Sequence, residues 1–353
     1  MTFPFAWLRE TAFDLGFCAV GVARADAPLD GDHARYLEFL AAGYAETIPY
    51  LAKNSDARSR LHGPEILAGA KSVIALARAY ASRDRTPEPA GLARHIARYA
   101  RGADYHNVTR RQLKKLIKSM RERAPGAQFR ALCDTAPVLE RAWAVRAGIG
   151  FVGKNGLLIV AGTGSYATLA EVVTDLELEI PAREAPPRDC GQCTRCIDAC
   201  PTGAIVRPFV VDPRACIAGL TIEQKGVVQS PIRAHVGDWI FGCDDCQQVC
   251  PYNQGRHALG ALDAWSSYSL HDAARLQFSG SIDEWVGHES TPLRRCKDEG
   301  LARNACHVMG ASRDPLHLPI LQQILDHPAT TPTVREAASW AIAQLREPRT
   351  PKR

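Results

Sequence analysis

The sequence has no long hydrophobic run and no leader pattern at its start. No stretch of the 353 residues approaches the roughly 18 uninterrupted apolar residues of a membrane span. The opening MTFPFAWLRETAFDLGF has no basic segment that leads into an apolar one. We therefore expect no membrane association and a cytoplasmic protein. Hydrophobic residues make up 46% and charged residues 23% of the chain, ordinary values for a globular protein.

Two cofactor motifs are also missing. No G-x-G-x-x-G follows a strand-like run, so a Rossmann site for a flavin or a nicotinamide is not supported. Asp104-Tyr105-His106 resembles the start of the D-x-H-x-x-G cobalamin motif, but Thr109 stands where that motif needs glycine. A histidine that binds cobalt from below is therefore not expected.

Cysteine, in contrast, is plentiful. Eight of the 12 cysteines lie between Cys190 and Cys250 at short, regular spacings. Without an export signal, such crowding indicates ligand cysteines in a reducing compartment rather than disulfides.

The stretch DCGQCTRCIDACP holds the pattern C-x₂-C-x₂-C-x₃-C-P of bacterial two-cluster ferredoxins, in which the fourth cysteine binds the other cluster. A second stretch, GCDDCQQVCP, is shorter by one cysteine, and Cys216 upstream supplies the missing ligand. A pair of zinc sites is disfavoured because this is not a zinc-ribbon spacing. Crossing the ligands predicts two [4Fe–4S] clusters, one on Cys190, Cys193, Cys196 and Cys250, the other on Cys200, Cys216, Cys243 and Cys246.

The residues before and after the cysteines differ in pattern. Residues 1–180 mix a helical start (7–15) with strand-like runs at 18–23, 71–77 and 157–164. PAREAPP (181–187) is typical of a linker. Beyond the cysteines, three amphipathic helices are predicted at 301–309, 318–325 and 334–345, spaced like a short HEAT-type unit that must pack on the rest of the protein.

One segment is strongly basic. Between Arg94 and Arg123 ten Lys and Arg residues face two acids, Asp104 and Glu122. A helix is predicted from Asn107 to Glu122, with its basic residues off the apolar stripe. Such a surface suits a phosphate-rich partner, although a merely solvated helix face has the same pattern.

Several long motifs occur together. They are ARYARGADYH (97–106), CDTAPVLERAWAVRAGIGFVGKNGLLI (133–159), GSYATLAEVVT (164–174), the CIxxLTIExKG stretch at Cys216 and RNA…MG at Asn304, besides the two cysteine runs. In this order, over nearly the whole chain, they resemble the epoxyqueuosine reductase family. The resemblance implies an α/β N-terminal cobalamin-binding domain (1–180), a two-cluster ferredoxin-like domain (181–255) and an all-α HEAT-like C-terminal region (256–353).

The resemblance also implies a reaction. Epoxyqueuosine at the wobble position of a tRNA anticodon takes up two electrons and two protons, and its epoxide becomes the alkene of queuosine with release of water. The clusters would pass electrons to a base-off cobalamin, and a low-potential donor that the sequence does not identify would supply them. The protein is expected to act as a monomer. The alternatives are an electron-transfer protein that serves a partner enzyme and a reductive dehalogenase that acts on a small molecule.

The family's proton donor is the aspartate of D-x-x-P-x-L-E-R, here Asp134. A carboxylic acid supplies a proton to a developing alkoxide only if its pKa is raised, and the apolar neighbours Leu132 and Ala136 favour burial of this one. A helix N-cap is the alternative role for an isolated Asp. By matched position the cobalamin contacts are Arg58, Tyr99, Asp134, Lys154 and Asn155, and Gly153 and Gly164 would allow close approach of the corrin. The tRNA phosphates would meet the basic helix (110–123) and Arg294, Arg295, Lys297 and Arg303.

Overall fold

A computed structural model describes residues 3–84, 89–182, 189–228, 231–259, 263–287 and 290–347. Most of the predicted linker (181–187) lies outside these residues. None of the helices described is both long enough and apolar enough to cross a membrane.

The N-terminal part is built on a four-stranded antiparallel sheet in the order β1-β2-β7-β4. The apolar runs predicted as strands at 18–23 and 71–77 form β1 and β2, which confirms both predictions. β2 is buried on both faces because helices cover both sides of the sheet. The bounds are β1 Ala19–Arg24, β2 Ser72–Ala79, β4 Phe129–Leu132 and β7 Ala167–Thr174.

Two helices cover one face of this sheet and one covers the other. On the first face, Leu113, Leu116 and Met120 of the basic helix pack with Ile74 of β2, as their spacing predicted. On the second face, Trp143 is fully buried against Val73. The helices of this part are α1 Phe5–Asp14, α2 Asp30–Ala41, α3 Tyr105–Arg123 and α4 Glu140–Arg146.

Two small two-stranded sheets lie between the main sheet and the cysteine segment. β5 (Gly150–Val152) and β6 (Leu158–Val160) form the first, a hairpin, and β6 covers part of the strand predicted at 157–164. β3 (Ala81–Ser82) pairs with β10 (His257–Ala258), which lies after the last cluster cysteine. The sheet part and the cysteine segment are therefore joined by backbone pairing as well as by side chains.

The cysteine segment has little regular structure. Each cysteine run contains one short helix, α5 (Arg195–Asp198) and α6 (Asp245–Gln248). β8 (Ile205–Arg207) and β9 (Val210–Val211) form a hairpin between them. Asp244, fully buried, accepts hydrogen bonds from the backbone N–H of Arg98 (2.8 Å) and from its guanidinium (3.1 Å).

The C-terminal part is helical, and the three predicted amphipathic helices are confirmed as α10, α11 and α12. Gly310 of α10 lets α12 approach closely, since a Cβ there would lie 2.6 Å from Trp340 and 2.8 Å from Ala341. Leu92, Ile96 and other residues from outside the helices share their core, so the helices do pack on the rest of the chain. The bounds are α7 Asp263–Ser267, α8 Leu270–Arg275, α9 Ile282–Val286, α10 Lys297–Ser312, α11 Leu318–Asp326 and α12 Pro332–Arg346.

The prediction that Arg303 contacts tRNA phosphates is wrong. Its side chain is buried where α10 packs on the rest of the chain, and only 1% of it is exposed. The guanidinium donates hydrogen bonds to the carbonyl oxygens of Leu220 (3.0 Å), Gln224 (2.8 Å) and Gly226 (2.7 Å). Arg303 thus fixes the loop after Cys216 against α10, a role that satisfies backbone acceptors which would otherwise be buried without a partner.

Candidate active site

Asp134 lies just beyond the end of β4, at the top of the sheet. Its φ of 55° is in the left-handed region, which Asp and Asn tolerate better than other residues with a side chain. The side chain is 58% exposed to solvent, so the carboxylate is accessible. It does not cap a helix, because Leu139 occupies the N-cap position of α4. The N-cap alternative is therefore wrong for Asp134.

The start of α3 supplies the partners of the Asp134 carboxylate. Tyr105 Oη donates a hydrogen bond of 2.6 Å to Asp134 Oδ2, and His106 Nε2 lies 3.4 Å from the same oxygen. The other ring nitrogen of His106 is 2.8 Å from Asp104 Oδ1. Asp104 also caps α3 by accepting a hydrogen bond from the backbone N–H of His106. The cap that begins the helix thereby orients the imidazole towards Asp134.

These contacts place the proton on His106 rather than on Asp134. Burial alone would lower the pKa of His106, but its hydrogen bonds to Asp104 and Asp134 and the charges of both raise it to about 9. Burial would raise the pKa of Asp134, but hydrogen bonds from His106 and Tyr105 outweigh it, and the pKa lies below its usual value. The sequence predicted a raised pKa for Asp134, but its hydrogen bonds lower it.

Aromatic and charged side chains extend from this centre. The ring of Tyr99 lies 6.0 Å from that of Tyr105. Arg295 pairs with Glu223 at 3.0 Å, and its guanidinium stacks 5.2 Å above the ring of Tyr50. Arg295 is also close enough to lower the pKa of Asp134 through its charge. The site thus draws on β4, α3, the loop after Cys216 and the start of the C-terminal part.

Arg58 and Tyr99 reach this region, each in a different way. Tyr99 is half-buried, and its pKa is raised by burial first and then by the charge of Asp134. Arg58 is 7% exposed and donates a hydrogen bond to the carbonyl of Tyr50 (3.3 Å). Its Nε has no hydrogen-bond partner among the described residues, which leaves one donor for another group.

Lys154 and Asn155 lie in the turn between β5 and β6, against the first cysteine run. Lys154 donates from its backbone N–H to Cys190 Sγ (3.4 Å) and from Nζ to the carbonyl of Gly191 (2.7 Å). Asn155 Oδ1 accepts a hydrogen bond from the backbone N–H of Leu157, which shapes the turn. Within the described part of the chain, these hydrogen bonds of Lys154 therefore lie beside the first cysteine run, and that of Asn155 lies inside the turn. Tyr99, in contrast, lies near Tyr105, a partner of Asp134.

The two glycines predicted to admit a corrin are accounted for by packing within the chain. A Cβ at Gly153 would lie 2.8 Å from Ile159 and 2.9 Å from Asn155. A Cβ at Gly164 would lie 2.1 Å from Asn253 Oδ1. Gly164, with a φ of 81° and the Tyr252 carbonyl oxygen 2.6 Å from that Cβ, needs glycine whatever binds nearby, whereas the atoms close to Gly153 belong to side chains that can move.

Arg141 connects α4 to the turn between β5 and β6. Its Nη1 donates to the carbonyl of Gly156 and so ties α4 to the turn that holds Lys154.

The residues around Asp134 fit a base-off cobalamin. Both nitrogens of His106 are engaged by carboxylates, so the imidazole of His106 has no lone pair free to bind cobalt. Tyr99 and Tyr105 provide flat apolar surface, and the unpaired Nε of Arg58 provides a buried donor within the described residues. This arrangement agrees with the sequence, which lacks a complete lower-ligand motif.

The eight cysteines predicted to bind clusters interact mainly within two sets, and Cys196 and Cys246 also interact between the sets. None of the 12 cysteines forms a disulfide. The pKa of Cys196 is raised by burial first and then by the charges of Cys190, Cys250 and Cys193, so these four are close together. The pKa of Cys243 is likewise raised by burial and then, among its neighbours, by Asp245, Cys246 and Cys216. Among the described residues no three possible ligands converge as for a single metal ion, but each cysteine of a four-iron cluster binds a different iron.

A separate cavity of about 600 Å³ lies where the sheet meets the cysteine segment. Arg83, Arg256 and Tyr252 are among its lining residues, and neither Asp134 nor its hydrogen-bond partners are. This cavity is therefore separate from the site around Asp134.

The sequence alone gave several residues of the site no role. Tyr105 and Glu223 lie inside the motifs at 97–106 and at Cys216, but nothing in those motifs points to them individually, and Tyr50 carries no local signal. Glu171 does: it is the single charged residue in the otherwise uncharged strand ATLAEVVT, and it is fully buried. A lone charge in a strand buried between two layers indicates a functional or paired group.

Comparisons with known proteins identify the family. Residues 60–135 match the family model described as "Epoxyqueuosine reductase QueG, DUF1730", and residues 189–253 match that of a 4Fe-4S double cluster binding domain. The epoxyqueuosine reductase of Gloeobacter violaceus is 42% identical over 88% of this chain and 97% of its own length.

Two solved structures are similar over nearly the whole chain. One is an epoxyqueuosine reductase with an epoxyqueuosine-modified tRNA-Tyr stem loop (TM-score 0.84, 30% identity, 97% of this chain and 90% of that one). The other is the epoxyqueuosine reductase of Bacillus subtilis with its catalytic aspartate loop swung out of the active site (TM-score 0.80, 29% identity, 98% and 91%). With this identity over this much of both chains, the protein belongs to the epoxyqueuosine reductase family.

Proposed function

We propose that the protein reduces epoxyqueuosine to queuosine at the wobble position of tRNA. The observation that carries the proposal is the accessible carboxylate of Asp134, held between Tyr105 and a protonated His106. Relatives that carry the same motifs are epoxyqueuosine reductases, and one was solved with a modified tRNA stem loop.

Two [4Fe–4S] clusters would be bound with crossed ligands, the second on Cys200, Cys216, Cys243 and Cys246. The match of 189–253 to a double-cluster domain and the grouping of the cysteines support this. Cobalamin, when bound beside Asp134, supplies a strongly reducing cobalt nucleophile for the opening of the epoxide. Tyr99, Asp134 and Arg58 would line its site, with Lys154 and Asn155 between it and the first cysteine run.

The chain's own residues handle the protons. Reduction consumes two electrons and two protons, and opening of the epoxide leaves an alkoxide that must be protonated before water departs. His106, 3.4 Å from Asp134 Oδ2, holds the proton and passes it to Asp134, which delivers it to the alkoxide. Enclosure by cofactor and substrate would exclude water from Asp134 and raise its pKa towards that of His106, which eases the transfer.

The three regions would divide the work as domains 1–180, 181–255 and 256–353, with the last a HEAT-like unit. The exposed Lys114, Lys115 and Lys118 of α3 would bind tRNA phosphates. Arg295 would do so less readily, because Glu223 already pairs with it. The protein would act in the cytoplasm as a monomer, with electrons from a separate low-potential donor.

The nucleosides of cellular tRNA test this proposal. Mass spectrometry of tRNA from a strain that lacks the protein should show epoxyqueuosine in place of queuosine, and the wild-type gene should restore queuosine. Normal queuosine in the deletion strain would exclude the proposed activity.

A further inference from the structure

The cavity of about 600 Å³ between the sheet part and the cysteine segment is positively charged. Its described lining residues include Arg83 and Arg256 and no acid. Burial lowers the pKa of Arg256 and the charge of Arg83 lowers it further, so the two guanidinium groups are near each other. Among the described residues neither arginine forms an ion pair with an acid. The cavity therefore attracts an anionic group.

Hydrogen bonds hold the wall of this cavity in place. Asn253, which is 3% exposed, accepts a hydrogen bond of 2.8 Å from the backbone N–H of Ser165 and donates one of 2.8 Å to the carbonyl of Gln247. The guanidinium of Arg256 donates to the carbonyl of Gly162. A partner that binds here meets a surface that is already formed, which reduces the cost of association.

The cavity borders the ligands of the first proposed cluster. Pro251 and Tyr252 of its wall directly follow Cys250, which is 8% exposed. Tyr252 Oη donates a hydrogen bond of 2.9 Å to the carbonyl of Asp189, the residue before Cys190. The wall of the cavity thus joins the first and the last cysteine of this ligand set.

The second proposed cluster lies towards Asp134. Cys243 packs against the same apolar cluster as Tyr99, whose ring is 6.0 Å from that of a partner of Asp134. The charge of Cys196 acts on Cys246, so the two cysteine sets adjoin each other. An electron that enters at the cavity would therefore meet the first cluster, then the second, and then the site at Asp134.

We propose that this cavity docks a small acidic protein of the ferredoxin type, which delivers electrons to the cluster on the Cys250 set. In each encounter the ferredoxin loses one electron, and the oxidised [4Fe–4S]²⁺ cluster gains it and becomes [4Fe–4S]⁺. Two encounters supply the two electrons that one epoxide consumes, and no proton moves in this step. The inference rests on the proposed function and its two clusters, and it adds the class of the electron donor and its docking surface.

The extent and position of the surface favour a protein over a small anion or tRNA. A second cavity of about 500 Å³ shares Gln254 with the first, and Arg195 and Asp198 both line it, so it adds area without net charge. This suits the small interface of a transient electron-transfer complex. Among the described residues neither cavity is lined by Asp134 or its partners, so a donor can dock while tRNA occupies that site.

Charge reversal at the two arginines tests the docking surface. The double variant Arg83→Glu/Arg256→Glu is compared with Arg9→Glu/Lys71→Glu, which makes the same change of net charge at other exposed positions. A reduced plant-type ferredoxin is mixed anaerobically with the cluster-loaded protein in the absence of tRNA. The absorbance of the ferredoxin reports its oxidation at several salt concentrations, and its affinity in the oxidised state is measured in parallel.

The second-order rate of the wild type should fall as salt is added, because salt screens the attraction between the two proteins. The double variant should be about tenfold slower at low salt, since electrostatic steering raises association rates by about 10- to 10³-fold, and the rates should converge at high salt. The control pair should stay close to the wild type. Iron content and reduction by dithionite should be unchanged in both. If the double variant loses iron, Arg83→Glu alone decides, with a smaller loss in the same direction.

Wild-type rates and affinity in the double variant, or an equal loss in the control pair, would overturn the inference. Weakened tRNA binding in place of the effect on ferredoxin would also overturn it and would make the cavity an RNA contact. The measurement needs no tRNA, so docking can fail in an enzyme that still reduces epoxyqueuosine. Conversely, docking can succeed in a protein that proves inactive on tRNA.

Discussion

Asp134 combines three properties that no single sequence feature carries. Its backbone is left-handed, its carboxylate is accessible, and its hydrogen-bond partners come from a helix that begins 29 residues earlier. The motif identifies the residue, but the sequence around it suggested burial by apolar neighbours and a raised pKa. The fold instead turns those neighbours away and brings Tyr105 and His106 to the carboxylate, which depends on long-range packing.

Replacing Asp134 by Asn should abolish turnover without disturbing the fold. Asn nearly matches Asp in size and tolerates a positive φ, so tRNA affinity and both clusters should survive. The amide cannot donate a proton as an acid does, and a positioned general acid contributes about 10²- to 10⁴-fold. Single-turnover reduction of epoxyqueuosine-tRNA, with tRNA binding measured in parallel, checks this.

Cys133→Ala is the matched control. Cys133 is buried beside Asp134, and its thiol donates a long hydrogen bond of 3.7 Å to the carbonyl of Leu169. It should lose far less activity than Asp134→Asn. Near-normal turnover by Asp134→Asn would remove this acid from the mechanism.

His106 should set the alkaline limit of activity. Its pKa is raised to about 9, so the proton that is passed to Asp134 is held below that pH and lost above it. The raised pKa of His106 also stabilises the folded protein. This stabilisation is complete below about pH 6.5 and is lost as the pH rises through about 9. The single-turnover rate of the wild type should therefore fall above about pH 9.

His106→Gln should be slower at neutral pH and should lack this alkaline fall, because the amide neither holds nor loses the proton. Rates measured across the same pH range, with iron content and tRNA affinity as controls, would show it. An unchanged alkaline fall in His106→Gln would assign the titration to another group.

At the scale of elements, both α3 and α10 were predicted as helices. The buried face of α3 could also be predicted, but the burial of α10 on all sides could not. The spacing of Leu113, Ile117 and Met120 defined the buried face of α3 and left its basic face outside. In α10 every residue from Leu301 to Gly310 is buried, including Arg303, because the helix is surrounded by other elements. An arginine that binds loop carbonyls has the same sequence signature as one on a surface.

Reversing the charges of Lys114, Lys115 and Lys118 to Glu should weaken tRNA binding. All three are exposed on α3, and removal of each phosphate interaction should reduce the slope of log affinity against log salt by about 0.7 to 0.9. Binding isotherms at several salt concentrations measure that slope.

The control places the same charge change on exposed Arg9, Lys71 and Arg346, which belong to other surfaces. It should leave the slope closer to that of the wild type. Equal effects of the two triple variants would mean that the basic face of α3 is only solvated and that net charge alone governs binding.

At the scale of the whole molecule, the regions are interlocked rather than strung together. Asp244 in the second cysteine run holds Arg98 of the sheet part, and Arg303 holds the loop after Cys216. The helical C-terminal part and the cysteine pattern could be predicted because spacing and periodicity are local. The interlocking contacts could not, since each joins residues more than 75 positions apart.

Cys216 tests this organisation, because it is the one predicted cluster ligand outside both cysteine runs. Anaerobically reconstituted protein should carry about eight irons in two four-iron clusters. Cys216→Ala removes one thiolate from the second cluster only, so about half of the iron should be lost. Iron analysis together with the absorption spectrum of the clusters measures it.

Cys306→Ala is the control for a general loss of stability. Cys306 is fully buried in α10, far from the cysteine runs in sequence, and has no ligand role, so all the iron should remain. The proposed assignment gives Cys250 and Cys200 each to the cluster of the other run, so the cluster that survives in Cys216→Ala should still need both runs. Replacing Cys250 in the Cys216→Ala background should then remove the remaining iron. A Cys216→Ala protein that keeps all eight irons would show that the crossed assignment is wrong.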